Sequence, residues 1–305
     1  MRETAVGKMT NPSVASKKKW NPKTLTPYLF LSPFFIVFAI FMVYPIFESL
    51  YLSFTSAQGN RAEWVGLENF KNIITDGLFW KSLSNVFIIL IVQVPIMLII
   101  GTLLAVLLNS KFIKGKAILR LFIFLPVLID LVTYSIVFTL IFNEQYGMMN
   151  YVLGLIHIDP IHWFSDPFWS KVLIIIAVTW RWTGYNTIIL LAGITTIDNS
   201  LYESAEVDGA NKFTQFFKIT IPMLKPILLF CGILSTIGTI QLFTEPSLLT
   251  AGGPNNATNT PIMYLYQFGF QSFQFGYASA AAYIITIIVG IISFFQIKVS
   301  KGGEI

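Results

Sequence analysis

Charged residues are scarce in this chain. Asp, Glu, Lys and Arg make up 11% of its 305 residues, 55% are hydrophobic, and the mean hydropathy is +0.70. Soluble domains carry roughly a quarter charged residues, so a water-facing surface along the whole chain is excluded. Cysteine is nearly absent: Cys231 stands alone in an apolar run, which rules out an intrachain disulfide and reads as a small core residue. Histidine is almost as rare, and His157 and His162, with Asp159 and Asp166 nearby, have no recognisable metal-ligand spacing. The G-x-x-x-x-G-K-[ST] phosphate loop, the H-E-x-x-H pair and any nucleophile–base constellation are also missing. The chain thus reads as a non-enzyme with no metal or cofactor of its own.

Long apolar runs stand where charge is lacking. Spans are expected at 29–52, 86–108, 121–142, 172–193, 227–244 and 278–297, each near the ~20 residues that cross ~30 Å of hydrocarbon. Each must be helical, because backbone amides in lipid are satisfied only within the segment. The fold class expected is an all-α, polytopic membrane protein of six helices. The basic N-terminal region leads into a run too long and bulky for a cleavable signal, so that run should remain as an anchor. Counted between spans, one set of alternate sides holds fifteen Lys and Arg and the other four, with Arg181 inside a span. The positive-inside rule then puts both termini in the cytoplasm. Topology accounts for the net charge of +5, and nothing is left that argues for nucleic acid.

The organisation follows: a disordered cytoplasmic tail over 1–27, a first helix and external loop over 28–85, a five-helix core over 86–297, and a cytoplasmic end over 298–305. Pro33 and Pro45 are expected to kink the first span. A short interfacial helix is expected around Leu67–Ile74, anchored by Trp64 and Trp80. The external segment 143–169 reads as an amphipathic piece followed by a Pro-rich turn. Segment 245–275 has no Lys or Arg and contains the turn signal TAGGPNN, so it reads as an external loop for a partner or a neutral solute. Span six opens with YASAAAY, a small-residue face suited to close packing.

Polar residues inside the spans mark a candidate path. Asp130 faces either such a path or a helix kink. TWRWTGYN, residues 179–186, sets a cation, two tryptophans, Tyr185 and Asn186 at membrane depth, with Arg181 and Tyr185 four apart on one face. Rings that stack on sugar C–H faces beside groups that bond hydroxyls suit a carbohydrate. The competing reading has Trp180 and Trp182 packing against neighbours and Arg181 snorkelling outward. Ser235 and Thr239 share a face of span five, and Gln241 follows.

One segment is too polar to span and too patterned to be slack. LYESAEVDGANKFTQFFKITIPMLKP, residues 201–226, carries Glu203, Glu206, Asp208, Lys212, Lys218 and Lys225. Leu201–Ala210 reads as a short helix with Asp198, Asn199 or Ser200 as N-cap and acids near its positive end. Gly209 turns the chain, Asn211 starts a second helix through Lys218, and Pro222 and Pro226 close the segment before span five. With acids and bases balanced and both ends tied to spans, it is no DNA-binding helix-turn-helix.

Glu203-Ser204-Ala205, three residues, Gly209, nine residues, Ile219, one residue and Ile221-Pro222 resemble the signature E-A-A-x3-G-x9-I-x-L-P of binding-protein-dependent ABC importer permeases. Ser204 and Ile221 depart from it. WVGLENF at 64–70, WFSDPFW at 163–169, TAGGP at 250–254 and GYASA at 276–280 extend the resemblance to the carbohydrate subfamily, of the maltose permease F type without its large external domain. That resemblance implies a type I importer permease fold in the inner membrane of a bacterium or archaeon. The segment would be a coupling helix between helices 4 and 5, with Glu203, Ser204, Ala205, Asp208, Gly209, Ile219 and Pro222 as its coupling residues. Implied partners are a second, homologous permease, a cytoplasmic ATPase dimer that holds ATP and Mg, an extracytoplasmic binding protein, lipid and the carbohydrate. The candidate substrate path is Asp130, Arg181, Tyr185, Asn186, Ser235, Thr239 and Gln241. Readings kept beside it are a permease for a sugar phosphate, glycerol phosphate or uronate oligomer, and an ion-coupled secondary transporter, for which Asp130 is the candidate ion site.

Overall fold

The structure, a computed structural model, describes residues 22–58, 62–110 and 112–301. Most of the tail expected over 1–27, the last residues 302–305, Arg61 and Lys111 lie outside the described residues. The chain divides into two bodies, one ending at Ser49 and the other beginning at Leu50. In the first, α1 (Pro22–Phe38) is followed by a π turn (Ala39–Val43) and the start of α2 (Tyr44–Ser53). Helix therefore begins at Pro22, where a disordered tail was expected through residue 27. The π turn ends two residues before Pro45, and this widened turn is where the helix absorbs a residue that lacks an N–H and crowds the carbonyl four back. Phe30, Phe34, Phe41 and Phe47 are all exposed, as lipid-facing side chains are.

The second body comprises α3 (Glu68–Thr75), α4 (Gly77–Asn109), α5 (Lys116–Leu128), α6 (Leu131–Ile141), α7 (Met148–Leu155), α8 (Pro167–Ile194) and α9 (Asn199–Val207). Then come α10 (Lys212–Gln215), a π turn (Phe216–Thr220), α11 (Ile221–Ile240), α12 (Thr244–Leu249), α13 (Pro261–Tyr266) and α14 (Phe275–Lys301). Among the described residues, five helical stretches are long and apolar enough to cross a membrane: Pro27–Ser53, Gly77–Asn109, Pro167–Ile194, Lys212–Ile240 and Phe275–Lys298. The sixth expected span is not straight. α5 and α6 meet at 97° across Ile129 and Asp130.

Local chemistry explains the boundaries that hydropathy misplaced. α4 begins at Gly77 rather than 86 because Asp76 caps it, its Oδ1 accepting from Leu78 N at 2.8 Å. Its 33 residues reach ~50 Å at ~1.5 Å each, well beyond the hydrocarbon. Oδ2 of Asp76 accepts from Tyr264 Oη at 2.5 Å and Tyr277 Oη at 3.3 Å, which ties α4 to α13 and α14. α8 starts at Pro167 on Asp166, whose Oδ1 accepts from Phe168 N (2.8 Å) and Trp169 N (2.9 Å).

α4 and α8 form the central pair, with α5 laid on α8 and α11 against both. Gly184 lets α5 and α8 touch backbone to backbone: a Cβ there would stand 1.8 Å from Ile123 O. Ala280 and Ala281 of the small-residue face are fully buried in a cluster with Ile73, Phe79, Ile240 and Tyr264. Leu108, Ile194, Ile197 and Leu224 gather at one end of the bundle, and Phe142, Trp163, Leu242 and Leu249 gather towards the other.

The segment expected to be an external loop over 245–275 is largely folded. It contains α12 and α13, and Thr258, Asn259 and Thr260 are buried. Asn85 Nδ2 donates to Asn256 O (2.7 Å) and Asn259 O (3.0 Å), so the TAGGPNN turn is pinned to α4.

Candidate functional site

Halfway along α4 and α8, apolar helices bring polar side chains together. A cavity of about 510 Å3 opens there, lined by Gln93 and Met97 of α4, Leu131 of α6, α8 from Val178 to Asn186, and α11 with the residues that follow it, as far as Glu245. Arg181, Tyr185, Asn186, Ser235, Thr239 and Gln241, read from separate segments of sequence, all line it. Helical spacing does this locally, and the α8–α11 contact brings the two stripes face to face. Thr239 Oγ1 donates to Gln93 Oε1 at 3.0 Å, while Asn186 Nδ2 donates to Trp182 O at 3.1 Å and meets Met97 Sδ at 3.4 Å. A bond between membrane helices such as that of Thr239 to Gln93 contributes about 1 kcal/mol. Trp182 and Tyr185 meet edge to face at 5.9 Å, and each stays 38% exposed, leaving ring faces open to a ligand.

Three expectations change here. Trp180 is turned away from the cavity and stacks on Tyr134 at 5.9 Å and 9°, which is packing. Arg181 does not snorkel. It is 7% exposed, and Nη1 donates to Ile129 O (2.8 Å) and Pro126 O (3.4 Å), while Nη2 donates to Val127 O (3.3 Å). The break between α5 and α6 orphans those carbonyls, and a cation is favoured at that negative helix end. Asp130 does not line the cavity: it is exposed, and its Oδ2 accepts from Val132 N (3.0 Å) and Thr133 N (3.2 Å) as the N-cap of α6. The carboxylate singled out as a path residue restarts a broken helix.

Sequence reasoning missed Gln93 and Glu245. Gln93 was legible as a lone amide in a long apolar run. Glu245 was not: it follows the fifth expected span and is 5% exposed only because α12 folds back on α6 and α8. Among the described residues no three His, Cys, Asp or Glu come together to hold an ion. His162 instead lies 3.2 Å from Glu144, in a clamp outside the spans. Burial raises the Glu144 pKa, but N–H groups of Phe164 and Ser165 (both 2.8 Å), with His162 and the Ser165 hydroxyl, outweigh it and hold the carboxyl below the usual range.

The polar segment lies at the opposite end. Asp198 caps α9, its Oδ1 accepting from Ser200 N at 2.9 Å, and that bond lowers its pKa. Glu203 and Ser204 are exposed; Ala205 is half-buried and its carbonyl accepts from Ala210 N at 2.8 Å. Asp208 is the C-cap, and Gly209 follows in the left-handed region at φ 80. That bond and that φ form the glycine stop of a helix. Lys212 pairs with Glu206 across the turn, and Asn211 Oδ1 accepts from Thr214 N at 2.8 Å to start α10. Tyr202 and Ile219 pack on the cluster of Ile194, Ile197 and Leu224, and Tyr202 Oη meets Thr220 Oγ1 at 2.9 Å. Val207, 88% exposed, is left bare. Pro222 and Pro226 do not close the segment: helix runs unbroken from Lys212 to Ile240, with its π turn ending two residues before Pro222, as before Pro45. The short helix is therefore fastened directly to the foot of a spanning helix.

The model of the family described as binding-protein-dependent transport system inner membrane component matches residues 77–299. The chain is 43% identical to the lactose transport system permease protein of Rhizobium radiobacter over 279 residues, covering 90% of this chain and 93% of the relative. It is 33% identical to the arabinooligosaccharides transport system permease protein of Halalkalibacterium halodurans, over 91% of this chain and 88% of the relative. In fold it is similar to a chain of the crystal structure of a bacterial alginate ABC transporter in complex with alginate pentasaccharide-bound periplasmic protein, with a TM-score of 0.80 at 23% identity, covering 90% of this chain and 93% of that one.

Proposed function

The chain belongs to the family of binding-protein-dependent transport inner membrane components, and on that premise we infer that it is the membrane permease of an ATP-driven importer for oligosaccharides or related carbohydrates. It is a multi-pass membrane protein. The observation that carries the division of labour is the separation of two polar regions along α11, which runs from the foot of one to the wall of the other.

We assign the cavity to the sugar path. Trp182 and Tyr185 offer ring faces, and Gln93, Asn186 and Thr239 offer amides and a hydroxyl. The segment from Asp198 to Thr220 is assigned to the ATPase. Its fastening to α11 lets a push on α9 reach the cavity wall through one continuous rod, with Glu203 and bare Val207 as the contact surface. Gly209 permits the sharp return. A second permease completes the path, a binding protein delivers the sugar from outside, and both termini face the cytoplasm. ATP and Mg would sit on the ATPase, and this chain performs no catalytic step.

The test is purification of the complex through a tag on this chain, followed by reconstituted uptake. An ATPase and a second permease are expected with the wild type, Glu203→Lys should release the ATPase, and Tyr185→Ala should lower uptake while leaving assembly intact. Recovery of the wild-type chain alone, or full uptake by both variants, refutes the reading.

A further inference from the structure

The cavity contains one basic and one acidic residue, and they are not equivalent. The terminal nitrogens of Arg181 are committed: both donate to the carbonyls of Pro126, Val127 and Ile129, and its Cζ lies 5.3 Å from the centre of the Tyr134 ring. Turning the guanidinium towards a ligand would strand three carbonyls at the end of α5, and a buried unpaired carbonyl is costly. Glu245, in the first turn of α12, lines the same cavity and is 5% exposed. It belongs to neither ion pair found among the described residues. The other polar groups that line the cavity, among them Gln93, Tyr185, Asn186 and Thr239, are neutral.

We propose that Glu245 makes this cavity selective for neutral carbohydrate, accepting hydrogen bonds from sugar hydroxyls and leaving a carboxylate, sulfonate or phosphate on the ligand without a free cationic donor to bind it. A vicinal diol presents two O–H donors to the two oxygens of a carboxylate, and such charge-assisted bonds are about twice as strong as neutral ones. An anionic sugar would meet the acid and an arginine whose terminal donors are already held by carbonyls of α5, the arrangement by which like charge rejects a wrong ligand. Fold does not decide this, since the solved transporter of the same fold handles alginate, a polyuronate. The discrimination falls to Glu245 because α5 already holds the arginine. The proposal rests on the cavity being the sugar path.

The test measures equilibrium binding of lactose and of digalacturonate, disaccharides of similar size, to the complete membrane complex without its binding protein. Wild type should hold lactose at least about tenfold more tightly than digalacturonate, Glu245→Gln should lose about tenfold of its lactose affinity and narrow the ratio, and Glu245→Arg should reverse the preference. Tyr185→Ala should weaken both sugars alike. Co-purification of the partner subunits with each variant checks that the fold survives; Glu245→Gln, nearly isosteric, is the variant that decides if the arginine disrupts assembly. Equal affinity of the wild type for the two sugars overturns the role of Glu245. So does an unchanged ratio in the Glu245 variants while Tyr185→Ala still weakens binding, and both results leave the cavity assignment standing. No sugar bound by the wild type, or binding indifferent to all three substitutions, removes the assignment and the proposal together.

Discussion

The polar segment from Asp198 to Thr220 and the cavity halfway along the helices are built by opposite rules. The segment is specified along the chain: an aspartate cap, a nine-residue helix, a glycine at positive φ and an asparagine cap follow one another within a few residues. Most of its side chains are exposed, and it meets the bundle through Tyr202, Ile219 and Thr220. The cavity is specified across the chain. Its polar lining comes from α4, α8, α11 and the start of α12, and the arginine in its wall is held by carbonyls of α5. A surface that docks on a partner can be encoded locally, whereas a pocket in lipid must be assembled from helices that satisfy their own polar groups first.

That contrast can be broken by substitution. Arg181→Ala should have the largest effect on stability, on the order of 3 kcal/mol, because it strands carbonyls at the α5–α6 break and not because it removes a ligand contact. A thermal melt of the purified complex checks this, with Glu203→Ala as the exposed comparison, expected within about 0.5 kcal/mol of wild type. If the two variants melt alike, Arg181 is no brace and the distinction between buried and exposed polar residues fails.

Gly209→Ala comes next. Nothing lies within 4 Å of the Cβ it would gain, so the cost is the left-handed backbone alone, about 1 kcal/mol. The melting temperature should fall slightly while sugar-stimulated ATP hydrolysis by the complex drops much further if α9 docks on the ATPase as proposed, since the turn aims that helix. Hydrolysis that falls only in step with stability would mean that Gly209 merely terminates a helix.

The smallest effect sharpens the comparison at the far end of the bundle. The Glu144 carboxyl has a lowered pKa in the folded chain. Its stabilisation is therefore complete above the unfolded value near 4.3 and is lost as pH falls through the lower folded value. Hydrogen exchange at the amides of Phe164 and Ser165 should be steady, once corrected for intrinsic rates, from neutral pH down to about 5 and then rise below about 4. Glu144→Gln should remove that acid dependence. An acid-insensitive wild type would show that the clamp holds without its charge.

What was legible in the sequence was whatever one helix or turn decides for itself. Apolar runs give spans because lipid leaves the backbone no partner outside its own helix, and the spacing of Asp198, Gly209 and Asn211 gives the helix and turn of the polar segment because caps and glycine act on their neighbours. Asp130 was the hardest to read, since a carboxylate within an apolar run can serve a path or a cap, and only the 97° break makes it a cap. Arg181, Trp180 and Glu245 were decided by tertiary structure alone. Whether a buried polar side chain faces a ligand or a neighbour depends on which carbonyls, rings and cavities the other helices bring to it, and that is not a property of its own segment.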